Sequence, residues 1–491
     1  MSYEEDPEGS RLKFWTRDFR TSPLPAAWKT ERPKVPPGQE WTDPNFDKPA
    51  IIKVDTSAHQ IEWKRSYEIV EDPVLFAGGA DKGDINQGTF GTCWFLSMLT
   101  NLAERPKLLK KVIDNDAFKP KTDGIFHCRL WRFGEWVDVY NDDILPVEKG
   151  TNELFGAQSK SGTNEMWVSL MEKALAGCHD SYSVAEGGMP SDAYLALTGG
   201  VPETVIMEYT NKNTLFKRIV NALKCGAFVT CSSKSGTTPP DGIIPGHAYT
   251  LIAAKEVTKK NGKRAFLLRM RNPWGSDEWT GKWSDKSPNW KKLTDEDRNQ
   301  LLEDKEDGEF WMALRDFKVI FFITTVCSLT PDFDINGEAE QLNYVLRIFG
   351  EWKGSSRENQ PEAEILKDNP RLAFTVPHED GFPDPVPVVV HIIQRADRGD
   401  ETYNLNCHLF KSKSLDDESV VTSIKREKDE THYARMKQRT FRFELTPGRY
   451  ILVPSTGDRE GNREFLARLY SPYPLSDCSQ VADNTDIVVE Q

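Results

Sequence analysis

The chain has 491 residues, enough for two to four domains with cores of their own. Hydrophobic residues make up 38% and charged residues 28%, an ordinary globular composition. The formal net charge of −13 leaves no surplus of Lys and Arg to neutralise phosphates, which excludes a nucleic-acid binder, and apolar runs such as Val319 to Val326 are too short to span a bilayer.

In chain order, the first segment reads Met-Ser-Tyr-Glu-Glu-Asp-Pro, with neither a basic nor an apolar region, so no secretory signal is expected. Residues 1–60 are rich in proline and charge (Pro23, Pro25, Pro33, Pro36, Pro37) and predict an extended arm with little core of its own. Residues 61–188 form a first, mainly helical lobe. Thr92 to Arg105 and Asn164 to Ala176 have helical apolar spacing, and Ile125 to Tyr140 reads as a hairpin turning at Phe133-Gly134-Glu135-Trp136. Residues 189–335 form a sheet-rich second lobe, with strands expected at Phe228 to Ser232, His247 to Val257, Arg264 to Arg271 and Val319 to Ser328. Residues 336–491 carry strand-like runs at Tyr344 to Ile348, Arg371 to Val376, Val386 to Ile393, Thr440 to Leu445 and Arg449 to Val453, which predict a β-sandwich. The class is therefore α+β.

The eight cysteines are scattered and form no Cys-x-x-Cys pair, so free thiols in a reducing cytosol are expected rather than disulfides or a zinc ribbon. Cys93 has a distinctive setting, Gln87-Gly88-Thr89-Phe90-Gly91-Thr92-Cys93-Trp94. Two glycines permit a tight turn, Thr92 can cap the helix that follows, and Cys93 falls in its first turn. Unpaired N–H groups there stabilise a thiolate and can hold an oxyanion, to which Gln87 could add its side-chain amide. The alternative is a small buried residue packed beside Trp94. A nucleophilic thiol needs a base, and His247 begins the strand Gly246-His247-Ala248-Tyr249. Asn272, in Arg271-Asn272-Pro273-Trp274, ends the next strand, where its carbonyl can accept the His Nδ1–H and hold the base's tautomer. Trp274 could shield the pair from water. The order Cys, His, Asn is that of papain-like proteases.

These segments resemble the calpain family, as do Gly124-Ile125-Phe126-His127 running on to Phe133-Gly134-Glu135-Trp136-Val137-Asp138, and Asp307-Gly308-Glu309-Phe310-Trp311-Met312. The resemblance is close over residues 61–330 and looser over 341–475. It implies a two-lobed papain-like cysteine protease core followed by a calpain-type β-sandwich. It also implies a calcium-dependent cysteine endopeptidase that cuts proteins at limited sites through a thioester acyl-enzyme. Gly187, Gly188, Gly246 and Trp274 are expected to line its substrate cleft. Thr92 stands where many calpains carry Asp. The stretch Asp332, Asp334, Asn336, Gly337 imitates half of an EF-hand loop but has Asn343 at the twelfth position, where a Glu is required, and reads as a linker. An atypical calpain without an EF-hand domain or an EF-hand small subunit is expected.

By the same resemblance Ca2+ is expected at one site per lobe. The first takes Ala77 and Gly79 carbonyls with Asp84 and Glu165. The second takes Glu278, Asp285, Asp307 and Glu309 with Trp274 and Lys305 carbonyls. Such all-oxygen sets suit calcium and not zinc. The loops bearing Glu379, Asp380 and Asp384, and Asp416, Asp417 and Glu418, could bind calcium or meet lipid headgroups in a calcium-dependent membrane contact; solvated turns are the alternative. Protein substrates, no nucleic acid and a cytoplasmic location complete the expectation. The competing function is a calcium-responsive scaffold or membrane-recruited binding module with little proteolysis.

Overall fold

The computed structural model describes residues 4–5, 11–21, 31–44, 46, 61–81, 84–159, 164–178, 181–208, 210–236, 241–303, 305–331, 341–358, 360–378, 384–396, 401–424, 433–457 and 459–490. The chain divides into two units. One comprises Ala26–Gly200 and Val205–Cys327, the other Met1–Pro25, Val201–Thr204 and Ser328–Gln491.

In the first unit the Cys93–Ala103 and Trp167–Cys178 helices are apolar on nearly every side, and both are buried almost throughout. A helix of that kind belongs in a core. Leu96, Leu99, Leu102, Leu170, Met171 and Leu175 pack into one cluster there. The Ile125–Arg132 and Glu135–Asp142 strands form the expected hairpin. Its turn puts Phe133 at φ 44° and Gly134 at φ 104°, the left-handed geometry that suits a two-residue hairpin turn.

The same unit contains a sheet in the order Glu309–Ala313, Arg264–Arg271, Ala248–Thr258, Phe228–Ser233, Phe321–Ser328. Three expected strands hold. The fourth begins later than expected, because Val319 lies in a short helix, Leu314–Ile320, that buries Leu314 and Phe317 three residues apart. A continuous apolar run does not separate strand from helix by periodicity. The unit also holds a helix, Lys212–Lys224, capped by Asn211 and burying Leu215, Phe216, Ile219 and Ala222 along one face.

The second unit pairs two sheets over a common core. One runs Glu4–Glu5, Lys13–Asp18, Tyr344–Trp352, Arg463–Ser471, Val386–Gln394, Gln438–Leu445; the other is built on Leu372–Val376, Gly448–Gly457 and Asn404–Ser412. Leu346, Val388, Val390 and Leu469 of the first meet Leu372, Phe374, Leu405 and Leu452 of the second. The arm at residues 1–60 is more than an unpacked extension. Its Lys13–Asp18 strand pairs in parallel with Tyr344–Phe349 and buries Trp15 in this core.

Of the acidic loops, that at 416–418 is internally engaged. Glu418 accepts two hydrogen bonds from the Arg449 guanidinium, at 2.9 and 2.8 Å, and Asp417 accepts the Ser419 N–H. Glu379 and Asp380 lie outside the described residues, as do Asp332, Asp334, Asn336 and Gly337. Among the described residues no helix is long and apolar enough to cross a membrane. All eight cysteines are free.

Candidate active site

Cys93 is the first residue of its helix, and Thr92 occupies the cap position, but the expected side-chain cap is corrected: its hydroxyl makes no cap hydrogen bond and donates to Glu172 instead. The turn before it is held by Thr92 N–H on the Phe90 carbonyl at 2.8 Å and by the Gln87 side-chain amide on the same oxygen, also at 2.8 Å. Cys93 is partly buried. The N–H groups of Ala248, Trp94 and Cys93 itself favour its thiolate, but burial outweighs them and pushes the thiol up. The helix start thus moderates the desolvation of Cys93 without overcoming it.

His247 immediately precedes the Ala248–Thr258 strand, so the residue whose N–H faces the thiol is the neighbour of the imidazole. Asn272 follows the Arg264–Arg271 strand, which pairs with the His247 strand. This register brings together two side chains distant in sequence. His247 Nε2 lies 2.9 Å from Asn272 Oδ1. The Asn amide is oriented by its own donors, since Nδ2 gives hydrogen bonds to the Ser276 and Asp277 carbonyls at 2.8 and 3.1 Å. Oδ1 therefore accepts, and Nε2 carries the proton. The expected Nδ1–H contact is corrected: Nδ1 is the ring nitrogen left basic. Asn272 N–H also donates to the Gly308 carbonyl at 2.8 Å. Gly308 has φ 79°, and a Cβ there would come within 3.0 Å of the Asn272 carbonyl oxygen.

Trp274 ties these groups together. Its ring centroid is 4.8 Å from that of His247, its N–H donates to Asn272 Oδ1 at 3.1 Å, and its Nε1–H donates to Gln87 Oε1 at 2.9 Å. The indole connects the cysteine-bearing and histidine-bearing parts of the unit and orients the Gln87 amide. One Gln87 N–H is spent on Phe90, leaving the second for a ligand.

Burial pushes His247 down to about 4, against the opposing effects of Asn272 and Asp277. With the thiol pushed up and the imidazole pushed down, both are neutral at pH 7. No hydrogen bond joins them among the described residues. Proton transfer requires the ring to come within reach of the thiol, roughly 3 Å.

The glycines expected in the cleft are exposed. Gly187 has φ 73° and donates to the Gly91 carbonyl at 3.0 Å. A Cβ on Gly188 would strike the Trp94 ring at 2.5 Å, so its backbone lies flat against the residue after the nucleophile. Gly246 has φ 63° just before His247.

The residues expected to ligate calcium are hard oxygen donors, as calcium requires. Among the described residues no three acidic, His or Cys side chains converge in a preformed cage. Burial, and after it the charge of Asp84, push the Glu165 carboxyl up, against the Ala77 N–H it accepts at 2.9 Å. Glu278 is raised by burial and by Asp307 and Glu306, while it accepts the Asp307 and Gly308 N–H groups. Asp285 accepts the Lys305 N–H at 3.4 Å. Gly79 has φ 109° on the same loop as Ala77 and Asp84. Glu309 differs from the others. It is 6% exposed and paired with Arg269 at 2.8 Å and Arg271 at 3.6 Å, so its charge is already met by guanidinium groups. The donor chemistry of Asp84, Glu165, Glu278, Asp285 and Asp307 fits calcium.

Sequence reasoning missed Glu172. It reads as one more polar residue of an apolar helix, yet it is 1% exposed and accepts Thr92 Oγ–H at 2.6 Å and Ala157 N–H at 2.7 Å. Burial raises it to about 7 from 4.5, against both bonds. The unfolded chain therefore ionises Glu172 at lower pH than the folded chain does. The associated stability is present below pH 4.5 and is lost as pH rises through 7. Glu172→Gln, which removes this ionisation, should gain stability over the wild type between pH 5 and pH 8, by up to about 3 kcal/mol. Urea unfolding of both proteins across that range checks it; a difference that does not change with pH contradicts it.

The site can be set against known proteins. Residues 41–328 match the family model described as calpain family cysteine protease, and residues 350–470 match that of calpain large subunit, domain III. The chain is 32% identical to the calpain-2 catalytic subunit of Homo sapiens over 92% of its own length and 69% of that protein's. It is 33% identical to calpain-9 of Homo sapiens (83% and 61%) and 32% identical to the calpain-1 catalytic subunit of Mus musculus (85% and 61%). It thus spans about two thirds of the length of these relatives. With both segments matched in order and the identity sustained along most of the sequence, the chain belongs to the calpain family of cysteine proteases.

Proposed function

We propose that the protein is a calcium-dependent endopeptidase with a two-lobed papain-like core, cutting cytosolic proteins at limited sites. The observation that carries this reading is the 2.9 Å His247–Asn272 bond, formed beside a cysteine at a helix start. His247 Nδ1 takes the Cys93 proton as Sγ adds to the peptide carbonyl. The oxyanion is met by the Cys93 N–H and the second N–H of Gln87. Nδ1 then returns the proton to the departing amine, leaving a thioester that water resolves by the reverse sequence.

Asp84 and Glu165, and Glu278 with Asp285 and Asp307, are the residues that would hold calcium. Bound there, calcium supplies positive charge that offsets the repulsion between neighbouring carboxylates. The reducing cytosol suits eight free thiols. Membrane recruitment through the 416–418 loop is not part of this reading, because Glu418 is committed to Arg449. The test is an electrophilic peptide offered with and without calcium. Calcium-dependent covalent labelling of Cys93 supports the protease, and a Cys93 that never labels while the protein binds calcium argues for a scaffold.

A related expectation concerns the minimal catalytic unit. The triad and every calcium candidate lie within Ala26–Gly200 and Val205–Cys327. A fragment of residues 26–331 should therefore retain calcium-dependent cleavage of a small peptide, at reduced rate. It should begin at residue 26, because Lys13–Asp18 pairs with a strand such a fragment lacks. A folded fragment that binds calcium without turnover would show that the sandwich unit is needed.

A further inference from the structure

Glu172 is buried against the turn that precedes the nucleophile, with no cation paired to it among the described residues; the neighbouring Lys173 is committed to Asp142. Burying an unpaired carboxylate is costly, and an apolar side chain would fill the space without that cost. Its two hydrogen bonds indicate what it provides. One goes to Thr92, the cap residue directly before Cys93; the other goes to the backbone of Ala157. The 155–158 segment carries the loop of Gln87. Asn86 and Gln158 exchange two backbone hydrogen bonds at 3.0 Å each, and Thr89 N–H donates to the Phe155 carbonyl at 2.9 Å. The three pieces allow no slack. A Cβ on Gly156 would meet Glu172 Oε2 at 2.3 Å, and one on Gly88 would meet the Gly156 carbonyl oxygen at 2.2 Å.

Building on the reading of Cys93 as nucleophile and Gln87 as oxyanion donor, we infer that Glu172 is a positioning residue for both: its carboxylate clamps the Thr92 hydroxyl to the Ala157 backbone and so sets the distance between thiol and amide. Thr92 is the other half of the clamp. The Thr92 hydroxyl can donate to Glu172 when it is ionised and accept from it when it is protonated, whereas a second carboxylate there would have to share a proton with it. The Tyr182 phenol is the other titratable group that Glu172 influences, and it is buried with its ionisation pushed far up, so it stays neutral.

The test uses the full chain in saturating calcium. Thr92→Val keeps the shape and removes the donor, and Thr92→Ser keeps the donor. Turnover is expressed per mole of folded protein, with circular dichroism and a monomeric gel-filtration fraction for each variant, so that misfolded protein is not counted. Thr92→Val is expected to lower kcat roughly 10- to 100-fold with KM within about twofold of the wild type, the effect of a small misplacement of reacting groups. Thr92→Ser is expected to restore most of that loss. A kcat within about twofold of the wild type in Thr92→Val overturns the proposal, as does a loss that Thr92→Ser fails to rescue. If Thr92→Val cannot be obtained folded, Thr92→Ala takes its place with the same two outcomes. Cys93→Ala is the control. If it still hydrolyses peptide, the nucleophile reading itself fails; if it is inactive while Thr92→Val is fully active, only the clamp fails.

Discussion

Cys93→Ala is expected to lower peptide hydrolysis on the order of 10⁴-fold or more, and His247→Ala by a similar factor, because each removes a member of a unit that acts together. Neither change should unfold the protein. Cys93 is the first residue of its helix, and alanine is a better helix former than cysteine. Asn272→Ala should cost less, roughly 10- to 100-fold, since Asn272 orients and does not react. It holds Nε2–H of His247 at 2.9 Å and leaves Nδ1 as the base, so its loss frees the ring to rotate and to adopt the other tautomer. The measurement is turnover of a fluorogenic peptide, with circular dichroism on each variant. Full activity in Cys93→Ala would remove the nucleophile assignment, and an Asn272→Ala loss as large as that of Cys93→Ala would mean that Asn272 does more than orient.

The second large effect is expected from calcium. In the geometry described here thiol and imidazole are both neutral and unbonded to one another, so chemistry waits on a rearrangement. A chelator should lower hydrolysis at least on the order of 100-fold, because a switch of that depth requires only a few kcal/mol of preference for the aligned state. Glu165 and Asp307 belong to different loops, one leading into the Trp167–Cys178 helix that carries Glu172 and the other contacting Asn272 through Gly308. Loss of one carboxylate ligand weakens a calcium site by roughly 1.4 kcal/mol, or tenfold. Glu165→Ala and Asp307→Ala should each raise the half-maximal calcium by about that factor, and the double variant should need more than either. Peptide hydrolysis against free calcium for the four proteins decides it. Maximal activity in chelator, or one calcium curve shared by all four, contradicts the switch. The same experiment on Glu309→Gln separates a ligand from a structural acid. Its pairing with Arg269 and Arg271 predicts a loss of stability with little change in calcium requirement.

What the sequence determined by itself was local. Glycines before Cys93, Thr92 at a helix start, the Phe133-Gly134 turn and the alternation of the strands all act over a few residues, and a short-range pattern is legible without neighbours. The order Cys93, His247, Asn272 was likewise readable, because residue types and spacing carry it. Three matters were settled only by tertiary structure. The ring nitrogen that meets Asn272 depends on strand register across 25 residues, which no local pattern encodes. The Lys13–Asp18 strand finds its partner more than 300 residues away, and a proline-rich arm gives no sign of it. Glu172 looks like any helical acid, and it becomes a buried clamp only because Thr92 and Ala157 are brought to its two oxygens. In each case the deciding quantity is a distance between segments remote in sequence. Burial, which moves the ionisation of Cys93, His247 and Glu172, is likewise a property of the packed core and not of the residue.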